Sequence, residues 1–300
     1  MNKAMVVLVW LEWPEKCFRI NAEALSYLRE LLPFSAKIVR VKSEKGFLKA
    51  LPDATHVMTW HFKHEWYAIA KNLKFVTTPG AGRELVDRDA PCGVSVHFGG
   101  FHGEIIAESV VAYILASARG FFLKLSADSR KFWPRTWLSD KCYTVAGTRA
   151  VIAGYGKIGK AIGKKLEALG VQVQGFSRKN ISGLPEAAKM ADWFILALPS
   201  DTGTDDFLDA KILRRLPKKC SVINIGRGNS VDEAALSTAL KSGKLRGAYL
   251  DVIKNEPPKD DSSPIFAQKL KNIVIMPHSS AFSPDYIKMY FKELKDDGII

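Results

Sequence analysis

Three hundred residues, 47% of them hydrophobic, are enough for about two domains with sizeable cores, and no apolar run approaches the ~18 residues that span a bilayer. Forty-four Lys and Arg against 31 Asp and Glu give a net charge of +13, which suits anionic partners. The lysines are scattered and no basic run interleaves with aromatics, so small anions are expected rather than nucleic acid.

Met5–Leu11 is too short for a membrane span and is broken by Glu12. With no small-residue cleavage site after it, it reads as a buried strand rather than a signal peptide. Strands are predicted at Val6–Trp10, Lys37–Val41, His56–Trp60, Phe75–Thr78 and Val94–Phe98, with an amphipathic helix over Asn21–Leu32. Glu104–Arg119 is a mostly apolar helix expected to be buried on more than one side, between domains or subunits. Phe121–Ala146, with Phe132, Trp133, Pro134 and Trp137, reads as an irregular connecting arm. A second series follows at Ala150–Ala153, Val171–Phe176, Trp193–Leu198, Ser221–Ile225, Gly247–Val252 and Ile273–Met276. Strands separated by crossovers describe a doubly wound parallel sheet. The four cysteines (Cys17, Cys92, Cys142, Cys220) show no CxxC or metal-ligand spacing, so free thiols, no metal and a cytoplasmic location are expected.

Between the first two strands of the second series lies Val151-Ile-Ala-Gly-Tyr-Gly-Lys-Ile-Gly159, followed by a helical pattern over Lys160–Leu169. Strand, glycine turn and helix suit a dinucleotide: Gly154 permits the bend, Gly156 admits the pyrophosphate, and Gly159 lets the helix pack close. The candidate cofactor residues here are Gly154, Tyr155, Gly156, Lys157, Ile158 and Gly159. An NAD site places an acid at the end of the second strand, about 20 residues on. This strand ends instead in Ser177-Arg-Lys179, a hydroxyl and two cations that would grip a 2′-phosphate, so NADP(H) is expected over NAD(H).

Three ionisable residues follow predicted strands: Arg227, Glu256 and His278. In open α/β sheets the ligand crevice lies beyond the carboxyl ends of the strands, where all three can converge. The order and wording of Gly154-Tyr-Gly-Lys-Ile-Gly159, Leu198-Pro-Ser-Asp-Thr202, Asn224-Ile-Gly-Arg-Gly228, Leu250-Asp-Val252 with Glu256-Pro257, and Pro277-His278 resembles the D-2-hydroxyacid dehydrogenase family over nearly the whole chain. Pro79-Gly-Ala-Gly82 looks like the family's substrate-carboxylate loop, and Phe101-His-Gly103 with Ala107-Glu108 like the lead into its interdomain helix.

The resemblance implies two Rossmann-like α/β domains. A smaller flavodoxin-like substrate domain (1–100, completed by 283–300) would accompany a dinucleotide-binding domain (101–282). It implies that His278 donates the proton, Glu256 orients and charges the imidazole, and Arg227 binds the substrate carboxylate and polarises the carbonyl. Backbone amides of Ala81 and Gly82 would take the remaining carboxylate oxygens, while Pro199, Asp251 and Ser280 match cofactor-contact positions.

Trp60 and His61 end a first-domain strand and, with Trp133 or Trp137, could line a small pocket, as in the glyoxylate and hydroxypyruvate reductase branch. The expected reaction is reduction of a small 2-keto acid by NADPH in a homodimer formed through Glu104–Arg119 and the arm. A formate or phosphonate dehydrogenase, an enzyme for bulkier keto acids, or a non-catalytic cofactor sensor are the alternatives. Two departures from the family stand out: the acid at the second strand is absent, and only 22 residues follow His278. One helix, Ser283–Lys295, would cross back, leaving the first domain less firmly anchored or the chain cut short.

Overall fold

The computed structural model describes residues 4–82, 84–87, 89–126, 133, 135–259, 263–267 and 270–300. It divides into two compact units, Met1–His102 with Phe282–Ile300, and Gly103–Ala281.

The first unit holds β1 (Val6–Trp10), β2 (Lys37–Arg40), β3 (His56–Thr59), β4 (Phe75–Thr78) and β5 (Ser95–Phe98). They form one parallel sheet in the order β2-β1-β3-β4-β5, the flavodoxin-like arrangement. The central strand β3 is buried along its whole length, its polar His56 and Thr59 included, as expected of a parallel strand covered on both faces. The helix Ala22–Leu31 begins where the Asn21 side chain accepts the Ala24 amide, a cap that contributes about 1 kcal/mol.

The closing helix runs over Tyr286–Asp296 and belongs to this unit. It buries Tyr286, Ile287, Tyr290, Phe291 and Leu294, and Tyr290 Oη donates to Thr77 Oγ1 at 2.5 Å. Tyr286 Oη pairs with His102 Nε2 at 2.7 Å, which makes His102 a buried packing residue.

The second unit holds β6 (Arg149–Ala153), β7 (Gln172–Phe176), β8 (Trp193–Leu196), β9 (Ser221–Asn224), β10 (Gly247–Leu250) and β11 (Ile273–Ile275). All are parallel, in the order β7-β6-β8-β9-β10-β11. The order reverses at β6, which is where a doubly wound sheet opens its ligand crevice. The helix Gly103–Ala118 buries Ile106, Val110, Tyr113 and Ile114, and packs so closely on the helix Lys157–Ala168 that a Cβ at Gly103 would lie 2.8 Å from Ala161. Among the described residues no helix is long and apolar enough to cross a membrane, and all four cysteines are free thiols.

Two expectations need correction. The segment predicted to be an irregular arm contains short helices over Phe121–Ser126 and Arg135–Ser139, where Leu123, Lys124, Leu125, Arg135 and Leu138 are good helix formers among the aromatics. Phe132 and Pro134 lie outside the described residues. The helix after the glycine turn starts at Lys157 rather than Lys160, because Gly156 itself is its N-cap.

Candidate active site

The glycine turn at the end of β6 is shaped by backbone proximity. Gly154 has φ +98°, and a Cβ there would meet the Ala197 carbonyl oxygen at 2.3 Å. A Cβ on Gly159 would meet the Gly154 carbonyl oxygen at 2.2 Å, so both positions exclude side chains. Gly156 is different: nothing lies within 4 Å of where its Cβ would stand, and no side chain caps the helix it starts. There is therefore room beside Gly156 at the start of this helix, where the helix dipole favours an anion such as a pyrophosphate. These residues fit a dinucleotide.

Tyr155 contributes differently. Its amide and that of Gly154 both donate to the Phe176 carbonyl, at 2.9 and 2.8 Å, while its ring covers Gly175 and Gly163.

At the end of β7, Asn180 closes the turn. Its Oδ1 accepts from the Ser177 amide at 2.7 Å and lies 3.2 Å from Ser177 Oγ, and its Nδ2 donates to the Gly175 carbonyl. Arg178 is 89% exposed and its Nη2 lies 2.5 Å from Asp201 Oδ2, on the loop after β8. Thr204 ties that loop together, donating to the Pro199 carbonyl and accepting the Asp201 amide. Lys179 is exposed at the same turn. A cavity of about 750 Å³ bordered by Gln174, Phe176, Asn180 and Met190 runs beside β6 and β7, apart from the glycine turn and from Arg227, Glu256 and His278.

Arg227 follows β9. Asn224 donates to the Arg227 carbonyl at 3.0 Å and accepts the Gly226 amide at 3.1 Å, and Ser230 Oγ also donates to the Arg227 carbonyl. A Cβ on Gly228 would sit 1.9 Å from the Ile253 carbonyl carbon, so the turn after Arg227 is pressed against the chain that leads to Glu256. That chain is held by Glu233, which accepts from the Lys254 amide and from Ser263 Oγ.

His278 occupies φ +51°, a left-handed conformation unusual for a residue other than glycine. The carboxylate of Asp251, 1% exposed, holds it there by accepting the amides of Ser279 and Ser280 and the Ser280 hydroxyl. The Asp251 carbonyl also accepts the His278 amide at 2.9 Å. Asp251 and Ser280 are thus joined to each other beneath the histidine.

The imidazole Nδ1 lies 2.8 Å from Glu256 Oε2, and Glu256 Oε1 accepts the Ile253 amide. An ionised carboxylate only accepts, so Nδ1 carries the proton and Nε2 faces outward on a ring that is 50% exposed. The hydrogen bond donated to Glu256 raises the histidine pKa against the opposing effect of burial, and the positive charge of Arg227 lowers it. Burial works against ionisation of Glu256, but hydrogen bonds from His278 and the Ile253 amide outweigh it and leave its pKa below the usual range. Arg227 acts on both groups, so the structure brings guanidinium, carboxylate and imidazole into one electrostatic neighbourhood.

The remaining candidates are in the first unit. Ala81 is exposed and Gly82 half-buried in the loop after β4, where the Gly80 amide donates to Thr78 Oγ1. Trp60 is buried against Phe18 and Tyr286 with its indole N–H donated to the Phe18 carbonyl, so only its apolar surface remains for other contacts. His61 stacks on Trp13, and burial lowers its pKa. Trp133 and Trp137 are exposed in the second unit.

Asn180, Asp201, Glu233 and Asn224 carry much of this geometry without having been singled out from sequence. Asp201 and Asn224 stood inside the quoted motifs, while Asn180 and Glu233 reach their partners only through the fold.

This construction is that of an oxidoreductase with an NAD(P)-binding domain. Residues 111–280 match the model of the NAD-binding domain of D-isomer specific 2-hydroxyacid dehydrogenases, and the chain belongs to that family, whose enzymes act on small hydroxy and keto acids. A glycerate dehydrogenase of Methylorubrum extorquens is 30% identical over 236 residues, covering 75% of this chain and 75% of that protein. A D-isomer specific 2-hydroxyacid dehydrogenase of Xanthobacter autotrophicus, solved with NADPH and MES, shares the fold with a TM-score of 0.78 at 24% identity, covering 98% of this chain and 96% of that one. An NADPH-dependent glyoxylate/hydroxypyruvate reductase of Sinorhizobium meliloti, solved with citrate, gives a TM-score of 0.70 at 26% identity, covering 98% and 94%.

Proposed function

We propose that the protein reduces a small 2-keto acid of the glyoxylate or hydroxypyruvate type to the D-2-hydroxy acid with NADPH. The carrying observation is the His278–Glu256 pair under the influence of Arg227, on the same sheet as the open glycine turn. Bound at that turn, a nicotinamide dinucleotide supplies the hydride. His278 Nε2 delivers the proton to the developing alkoxide, because Glu256 fixes the tautomer and favours the charged ring. Arg227 pairs with the substrate carboxylate and stabilises charge on the carbonyl oxygen.

To the first unit we assign the substrate carboxylate, through the amides of Ala81 and Gly82, with Trp60 and His61 setting substrate size. The names of the M. extorquens and S. meliloti proteins support this substrate class. A spectrophotometric screen of NADPH oxidation against glyoxylate, hydroxypyruvate, pyruvate, longer keto acids, and the reverse reaction with formate and phosphonate substrates tests the assignment. NADPH binding without turnover of any 2-keto acid would overturn it.

Glu256→Gln is expected to move the falling limb of the reduction pH profile toward acid. Reduction needs a protonated His278, activity is lost as pH rises through its pKa, and Glu256 is what raises that pKa. A profile unchanged in position would remove Glu256 from this role.

Cofactor choice rests on Arg178. A 2′-phosphate has to take the guanidinium from Asp201, so Arg178→Ala should weaken NADPH binding about tenfold or more while leaving NADH nearly unaffected. Asp201→Asn should strengthen NADPH binding. Fluorescence titration of both cofactors reads each effect, and equal losses for NADH and NADPH would contradict the assignment.

A homodimer built on Gly103–Ala118 and the segment after it is part of the same proposal, supported by exposed Phe121, Leu125 and Trp133. A monomeric mass by light scattering would refute it.

A further inference from the structure

A second group of ligating side chains meets in the first unit, among residues to which the proposed reaction gives no role. His97 lies on β5, and Glu293 and Asp297 stand one turn apart at the carboxyl end of the closing helix. One donor atom from each, three in all, lies within 4.8 Å of the others. His97 Nε2 is 3.5 Å from Glu293 Oε2 and 3.9 Å from Asp297 Oδ2.

Those separations decide between two readings. A protonated histidine paired directly with a carboxylate would sit near 2.8 Å, as His278 and Glu256 do. Here Nε2 is buried and makes no hydrogen bond, although the side chain is 18% exposed. Donor atoms that share a tetrahedral zinc ion at roughly 2.0–2.2 Å stand about 3.3–3.6 Å apart; the His97–Glu293 separation of 3.5 Å lies in that range and the His97–Asp297 separation of 3.9 Å is wider.

Two further features favour a cation there. The carbonyl end of the closing helix carries partial negative charge, which favours a cation beside it. Glu293 is also fixed in place, accepting the Gly100 amide at 3.0 and 2.9 Å on its two oxygens, as a coordinating carboxylate usually is.

We propose that His97, Glu293 and Asp297 form a binding site for a zinc-like divalent transition ion. Water enters as a further ligand on the side of Asp297, the most exposed of the three. The ion ties the closing helix to β5 and takes no part in hydride transfer. The sequence shows no metal-ligand spacing because the strand ligand, His97, stands far in the chain from Glu293 and Asp297.

Metal-free protein titrated with Zn²⁺ by calorimetry should take up a single ion per chain and gain in Tm, and Co²⁺ should give a visible absorption band. His97→Gln and Asp297→Asn should each abolish all three signals and leave turnover unchanged. Asp297 is the exposed position, so its variant keeps the test open should His97→Gln fail to fold. Absence of stoichiometric binding by the wild type, or binding that survives Asp297→Asn, overturns the proposal. So does a Tm that ignores Zn²⁺.

Discussion

Replacing His278 with Gln is expected to lower kcat for 2-keto acid reduction by about 10²–10⁴-fold, the usual contribution of a positioned general acid. Glutamine can still donate a hydrogen bond to Glu256, but it has no proton to release near neutral pH. The ring is half exposed, so its loss opens no cavity in the core, and Tm should change little. NADPH affinity should also hold, because the glycine turn and the end of β7 are untouched. Near wild-type turnover in a folded variant would take His278 out of the reaction. A loss of cofactor binding instead would mean that the left-handed turn at 278 shapes the dinucleotide site and not the proton path.

Arg227→Gln should cost about 10²–10³-fold in kcat/KM, comparable to the loss of one donor from an oxyanion site. Arg227→Lys should recover only part of this, since an ammonium keeps the charge but not the paired donors that match a carboxylate. A second readout separates a substrate-facing role from a structural one. Arg227 pushes the His278 pKa down, so removing it should move the falling limb of the reduction profile to higher pH, opposite to the shift expected for Glu256→Gln. An unshifted limb with a lowered Tm would mark Arg227 as a fold residue.

Much of the fold was legible because parallel strands buried on both faces read as unbroken apolar runs. Val6–Trp10 and Phe75–Thr78 match to the residue, and the others differ by one or two residues at their ends, where burial falls off but residue type does not. The glycine turn was legible because Gly154 and Gly159 answer a steric demand that no other residue meets. Arg227, Glu256 and His278 were picked out as ionisable residues beyond strands, and the structure shows a direct bond between the last two.

The supports beneath them were not legible. Asp251 accepting the Ser279 and Ser280 amides, and Glu233 accepting the Lys254 amide and the Ser263 hydroxyl, join residues remote in the chain through groups that no motif marks. The pairing of Arg178 with Asp201 escaped notice for the same reason. A strand end was read for its own charges, and its partner came from the next loop.

The ring of Tyr155 has a corollary for redesign. It lies where any side chain at Gly175 would have to go, with a Cβ there only 2.1 Å from its Cδ2, so that position is closed to substitution. Past that point Arg178 and Lys179 are exposed, so exchanging them leaves the core undisturbed. A graft that imports another enzyme's nucleotide preference should therefore begin at residue 177. One that starts two positions earlier must bring its own replacement for the tyrosine.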